Sequence, residues 1–115
     1  MSMFLRSVAM LACLALSACG PSGQAIDEVK AFFNQVLNDP QSAQYRNLQY
    51  FVKTEKLPER VCGQINYKNQ MGGYVGFEPF VARKSPEWRV IMGGPSDPTE
   101  NKLAVLDACM PEEGA

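Results

Sequence analysis

Histidine is absent from this chain of 115 residues. Its absence excludes the usual general base of enzyme active sites and the commonest neutral ligand of zinc. Neither sign of charge dominates, because 11 basic residues stand against 12 acidic ones. No basic patch suits the phosphates of a nucleic acid. The sequence therefore predicts no nucleic-acid partner and no metal site.

Long apolar runs are also missing. The longest, Val8 to Leu16, has nine residues, whereas a helix that spans a bilayer needs about 20. One basic residue, Arg6, precedes the run and small residues follow it, which is the plan of a cleavable signal peptide. We therefore expect residues 1–18 to be a signal peptide.

The leader ends in Leu16-Ser17-Ala18-Cys19, which closely resembles the lipobox of bacterial lipoproteins. The resemblance implies cleavage before Cys19 and attachment of a diacylglycerol to its sulfur, giving a stable membrane anchor. Asp after the cysteine favours the inner membrane in such proteins, so Gly20 implies the outer membrane, facing the periplasm. The alternatives are an ordinary secretory signal with a chance cysteine, or a buried N-terminal helix.

Cysteine usage points to one disulfide. Of the four cysteines, Cys13 leaves with the leader and Cys19 is the lipidation site, so Cys62 and Cys109 remain as a pair. A pair in an oxidising compartment is expected to form a disulfide. A redox or metal-binding pair is the alternative, but the sequence has neither a CxxC motif nor the histidine of a zinc site.

The exported part is expected to start with a tether at residues 19–24, followed by a helix at residues 25–38. Apolar residues recur along that helix at helical spacing, at Ile26, Val29 and Phe33. We expect this face to pack on a sheet. In the alternative, Phe32 and Phe33 form an exposed surface for a partner.

Four stretches with alternating apolar residues then predict strands at residues 47–53, 60–67, 74–83 and 88–92. Pro79 lacks a backbone donor, which predicts an edge strand or a bulge. A short helical turn is expected at residues 40–44, after the helix-breaking Asp39-Pro40.

A last helix is expected from Asp97, its cap, to Met110. Leu103, Leu106 and Met110 share the face that should dock on the sheet, and residues 111–115 form an acidic tail. The whole is an α+β fold in one domain, residues 25–110. It comprises an N-terminal helix, an antiparallel meander of three to four strands and a C-terminal helix packed on the sheet. Both helices should lie on one face, with one disulfide.

Two stretches carry unusual patterns. Residues 39–47 are DPQSAQYRN, and residues 62–77 follow CG-x-x-N-x-KN-x-x-GGY-x-GF. Together they resemble a group of small exported bacterial domains that share both motifs, over residues 29–83. The resemblance supports the domain boundary and the disulfide and implies no activity.

The second motif contains a possible binding surface formed by Asn66, Lys68, Asn69 and Tyr74. Alternatively, these residues build a demanding turn, because Gly72-Gly73 can supply positive φ and the two asparagines can bind backbone groups.

No catalytic constellation is present, since the serines have no histidine to activate them and the carboxylates are scattered. The sequence therefore predicts a non-enzyme without a cofactor. We expect a lipid-anchored interaction or accessory module of the cell envelope, with an envelope protein as partner. The alternative is a domain that binds a small ligand or a cell-wall glycan, with Tyr74, Phe77 and Trp88 as stacking residues.

Overall fold

The computed structural model describes residues 20–110, so the predicted signal peptide, Cys19 and the acidic tail lie outside the described residues. The chain forms a helix, a short 3₁₀ turn, four strands and a second helix, which confirms the predicted α+β class. The elements are α1 (Pro21–Val36), the 3₁₀ turn (Pro40–Ser42), β1 (Gln44–Phe51), β2 (Arg60–Asn66), β3 (Glu78–Lys84), β4 (Trp88–Met92) and α2 (Thr99–Cys109).

The strands form one antiparallel meander in the order β1-β2-β3-β4. β4 has the predicted bounds, and β1 begins three residues earlier than predicted. β3 begins at Glu78 rather than residue 74, because Gly76 adopts a φ of 90° that interrupts an extended backbone.

Pro79 lies in an interior strand, so the prediction of an edge strand or a bulge is wrong. It pairs with Gln64 on one side, and on the other its carbonyl oxygen accepts the N–H of Gly93 at 2.8 Å. In an antiparallel ladder the N–H and C=O of one residue point to the same neighbour. The nitrogen of Pro79, which carries no hydrogen, therefore points towards Gly93, one residue beyond the end of β4. No hydrogen bond within the β3–β4 ladder is lost.

α1 begins at Pro21, four residues before the predicted start, so residues 21–24 of the predicted tether form its first turn. Proline suits this position because its missing N–H would have no helical partner there. The helix packs on the sheet through Val29 and Phe33, as predicted, and through Ala25, which was not predicted, whereas the predicted Ile26 is only partly buried. The ring of Phe33 is buried 5.1 Å from that of Phe80, which excludes the alternative of an exposed Phe33.

The two helices lie on opposite faces of the sheet, and the prediction that they share one face is wrong. α1 covers the face that carries Val61 and Ile65, whereas α2 covers the face that carries Cys62. The central strand β3 is apolar on both faces, because Phe80 and Ala82 point towards α1 while Val81 points towards α2. A continuous apolar run of this kind needs a cover on each side.

α2 docks through Val105 and Ala108. The predicted docking face is wrong, because its side chains are exposed; the exposed fractions are 59% for Leu103, 51% for Leu106 and 68% for Met110. The disulfide explains the rotation, since Cys109 is bonded to Cys62 with the two Cα atoms 5.7 Å apart. The predicted bond is therefore confirmed. Because the bond holds Cys109 against β2, the helix face next to Cys109 is turned towards the sheet.

Asp97 does not cap α2. Its side chain instead accepts the N–H of Gly94 at 2.8 Å, within the loop before the helix.

Candidate functional site

The two sequence motifs form one continuous structure. The N–H of Lys68 donates to Oγ of Ser42 at 3.3 Å, and the hydroxyl of Tyr74 donates to the carbonyl oxygen of the same serine at 3.2 Å. Asn66 donates from Nδ2 to Oε1 of Gln44 at 3.3 Å. The 3₁₀ turn and the start of β1 therefore support the connection between β2 and β3.

A β-bulge explains why an asparagine and a glycine stand in these motifs. The pairing of β1 with β2 shifts between Arg46 and Gln49. Asn47 lies in the bulge with a φ of 57°, which asparagine tolerates better than most residues. Across from it, a Cβ atom on Gly63 would lie 2.6 Å from Cδ2 of Leu48. Gly63 thus leaves the space that Leu48 fills.

Residues 67–77, which we call the glycine hairpin, are held by asparagine side chains. Oδ1 of Asn69 accepts the N–H groups of Met71 and Gly73, at 3.0 and 3.1 Å. Oδ1 of Asn66 accepts the N–H of Gly76 at 2.9 Å. These contacts match the alternative in which the asparagines build a turn, because both amides are engaged in holding the backbone.

Four further side chains lie on the outside of the glycine hairpin, beside the exposed Asn69 and Gln70. Lys68 and Tyr74 lie side by side, with Nζ 5.5 Å from the ring centroid, and Tyr74 is 47% exposed. Met71 at the tip is 94% exposed and Val75 is also exposed. We call these four residues the hairpin surface. Met71 and Val75 were not predicted as site residues, although apolar side chains beside glycines in a turn are a signal for them.

The base of the glycine hairpin is fixed by Arg46. Its guanidinium lies 3.9 Å from the centroid of the half-buried Phe77 ring, and its Nε donates to Oε1 of Gln64 at 2.6 Å. Trp88 lies at the other end of the sheet, where it pairs with Lys84. The predicted stacking residues Tyr74, Phe77 and Trp88 therefore do not form one platform.

Two acidic side chains lie near the end of the glycine hairpin: Glu78, the first residue of β3, and Asp97, in the loop before α2. Burial raises the pKa of Glu78, and the charge of Asp97 raises it further. Burial also raises the pKa of the Tyr67 hydroxyl, with smaller contributions from the same two carboxylates. Within residues 20–110, no three side chains form a cluster that could hold a metal ion.

No family model, curated protein or solved structure matches the chain. In the described part of the chain, neither helix is long and apolar enough to cross a membrane. The features that bear on function are therefore the predicted signal peptide at residues 1–18 with Cys19 after it, which lie outside the described residues, and the hairpin surface.

Proposed function

We propose that the protein is a lipid-anchored interaction module of the cell envelope, attached through Cys19 and binding an envelope protein through the hairpin surface. Met71 carries the proposal, because its side chain is 94% exposed although Asn69 holds the backbone around it. In this proposal the protein is not an enzyme, needs no cofactor and faces the periplasm from the outer membrane.

The rigidity of the glycine hairpin supports a binding role. A turn that is already held in place loses little conformational entropy when a partner covers it. Methionine and tyrosine are enriched at protein interfaces, so Met71 and Tyr74 provide suitable contact area. Lys68 beside them supplies a polar rim.

The direction of α1 also supports this role. Only Gly20 separates Cys19 from the first residue of α1, Pro21. Farther along the helix, Glu28 contacts Lys84 at 3.8 Å, at the end of β3. The glycine hairpin joins β2 to β3 at the opposite end of the sheet. α1 has 16 residues, or about 24 Å, so the hairpin surface would point away from the membrane.

Lipidation is tested by mass spectrometry of the mature N-terminus. We expect a diacylglycerol-modified Cys19 as the first residue, and we expect Cys19→Ala to leave the chain uncleaved or to release it from the membrane fraction. An unmodified Cys19, or a mature chain that begins elsewhere, would contradict the anchor.

Binding is tested with a photo-crosslinking amino acid placed at Met71 in living cells. The control position is Val52, which is 66% exposed on the loop at the other end of the sheet. We expect a discrete protein adduct at position 71 that is absent at position 52 and weakened by Tyr74→Ser. Identical products at both positions would contradict the hairpin surface, and an adduct with a glycan would favour the glycan-binding alternative.

A further inference from the structure

The sheet has two edges that differ in character. β1 forms one edge and is interrupted by the bulge at Asn47, a device that hinders pairing with another strand. β4 forms the other edge, and its pairing with β3 is regular from Trp88 to Met92. β4 is therefore the edge that can accept another strand.

The backbone groups available on β4 follow from the alternation of an antiparallel ladder. The N–H of Gly93 donates to Pro79 of β3, so the N–H and C=O groups of Arg89 and Ile91 also point towards β3. The same groups of Trp88, Val90 and Met92 point away from the sheet. No hydrogen bond within residues 20–110 reaches them.

An apolar cleft of about 350 Å³ lies beside this edge, between β4 and the end of α1. Val90 and Met92 contribute to it from the strand, and Val36, which is 59% exposed, contributes from the helix. The other apolar residues that line it are Phe32, Phe33, Leu37 and Tyr67. A strand added to β4 would direct every second side chain towards this cleft, because side chains alternate between the faces of a sheet.

We propose that β4 accepts an extended segment of a partner protein as a fifth strand, with apolar side chains at alternate positions entering the cleft. The outward-pointing backbone groups of Trp88, Val90 and Met92 suit an occupant with an extended backbone. The cleft selects its side chains. This is the chemistry of β-strand addition, in which the main chain contributes affinity and pockets contribute specificity.

A second copy of this chain is the other extended strand that could pair with β4. Antiparallel pairing of two β4 strands places a two-fold axis normal to the sheet, which reverses the direction of the partner. The two Pro21 ends of α1 would then lie at opposite ends of the dimer. Self-pairing is a separate outcome of the test below, in which protection of β4 grows with protein concentration.

The test uses the full chain in non-denaturing detergent and a synthetic peptide in which valine alternates with threonine between terminal lysines. Amide hydrogen exchange is followed residue by residue. We expect the peptide to slow exchange at Trp88, Val90 and Met92 by about tenfold or more. We expect little change at Arg89 and Ile91, whose amides already pair with β3.

Matched variants separate the cleft from general surface effects. Val36→Gln should weaken peptide binding by about tenfold, whereas Val52→Gln, at an exposed site on the far loop, should leave it unchanged. The same peptide with every backbone nitrogen between the terminal lysines methylated should no longer bind, because neither of its edges can then donate hydrogen bonds to β4.

Unchanged exchange at Val90, or undiminished binding of the methylated peptide, would overturn the proposal. Protection that grows with protein concentration in the absence of peptide would show self-pairing and would also overturn it. These readouts do not depend on membrane attachment or on crosslinking at Met71. Failure of β4 as a binding edge is therefore distinguishable from failure of the proposed function.

Discussion

The guanidinium of Arg60 donates from Nε to the carbonyl oxygen of Ala108 at 2.7 Å, and both residues are buried. Ala108 lies in the last turn of α2, where carbonyl oxygens lack helical partners and carry partial negative charge. Nη1 of the same guanidinium reaches the carbonyl oxygens of Val52 and Pro58, at 3.4 and 3.2 Å. One buried cation therefore joins α2 to the start of β2 and to the loop before it.

Replacing this cation should be costly. Arg60→Met leaves three carbonyl oxygens without their donor, and we expect the free energy of unfolding to fall by about 2–3 kcal/mol. Urea unfolding measures the loss, and faster amide exchange in α2 should accompany it. Arg89→Met is the control, because Arg89 is exposed and its replacement should matter by less than about 0.5 kcal/mol. Equal losses in the two variants would show that the buried contacts contribute nothing.

The disulfide should stabilise the same helix end. Replacing both Cys62 and Cys109 by alanine opens a loop with a sequence separation of 47. We expect a loss of about 2–5 kcal/mol, chiefly because the unfolded chain gains freedom. Thermal unfolding with and without a reductant checks this: the wild type should lose stability when reduced, and the variant should not respond. A wild type that is indifferent to the reductant would mean that the bond is absent in solution.

Gly63 and Gly23 form a matched pair for the bulge. A Cβ atom at Gly63 would meet Leu48, whereas one at Gly23 in α1 would meet nothing within 4 Å. We expect Gly63→Ala to destabilise by about 1 kcal/mol through crowding and Gly23→Ala to stabilise by about 0.5–1 kcal/mol through helix propensity. Urea unfolding measures both changes, and Leu48→Ala should cost less stability in the Gly63→Ala variant than in the wild type if crowding is the cause. An equal cost of Leu48→Ala in the two backgrounds would show that crowding is not the cause.

Glu78 should make stability fall as the pH rises. Its pKa in the folded protein is raised by burial and then by Asp97, so the folded state holds the proton more tightly than the unfolded chain does. This contribution is complete below the unfolded pKa and is lost as the pH rises through the folded pKa. Glu78→Gln should therefore raise the free energy of unfolding at neutral pH and flatten its decline above the ordinary carboxyl pKa.

Urea unfolding over a pH series measures this effect, with the exposed Glu87→Gln as the control. If Glu78→Gln and the wild type show the same dependence on pH, the carboxyl group of Glu78 is not perturbed in the folded protein.

Periodicity in the sequence predicted the elements that depend on local pattern. The face with Val29 and Phe33 predicted the docking side of α1, and β2 and β4 fell where apolar residues alternate. The pairing of Cys62 with Cys109 followed from elimination, because no other cysteine follows the predicted lipidation site Cys19. The pattern of the leader at residues 1–18 is equally local, and both the leader and lipidation at Cys19 stay predictions.

Periodicity could not choose between the two apolar faces of α2. Leu103 and Leu106 recur at helical spacing, and so do Val105 and Cys109. The disulfide contained the missing information, because the face bonded to Cys62 must be the one that docks. The roles of Asn66 and Asn69 were also ambiguous, since an amide that holds a turn and an amide that binds a partner look alike in a sequence.

The sequence by itself determined the order of elements and the disulfide pair, because each depends on neighbours along the chain or on a count of one residue type. Tertiary structure alone decided that the helices cover opposite faces of the sheet, that Met71 projects while Asn69 supports it, and that β4 is an open edge. The physical reason is that burial is a property of surfaces brought together from distant parts of the chain. The run from Phe80 to Ala82 is apolar on both sides, but only packing assigns a helix to each.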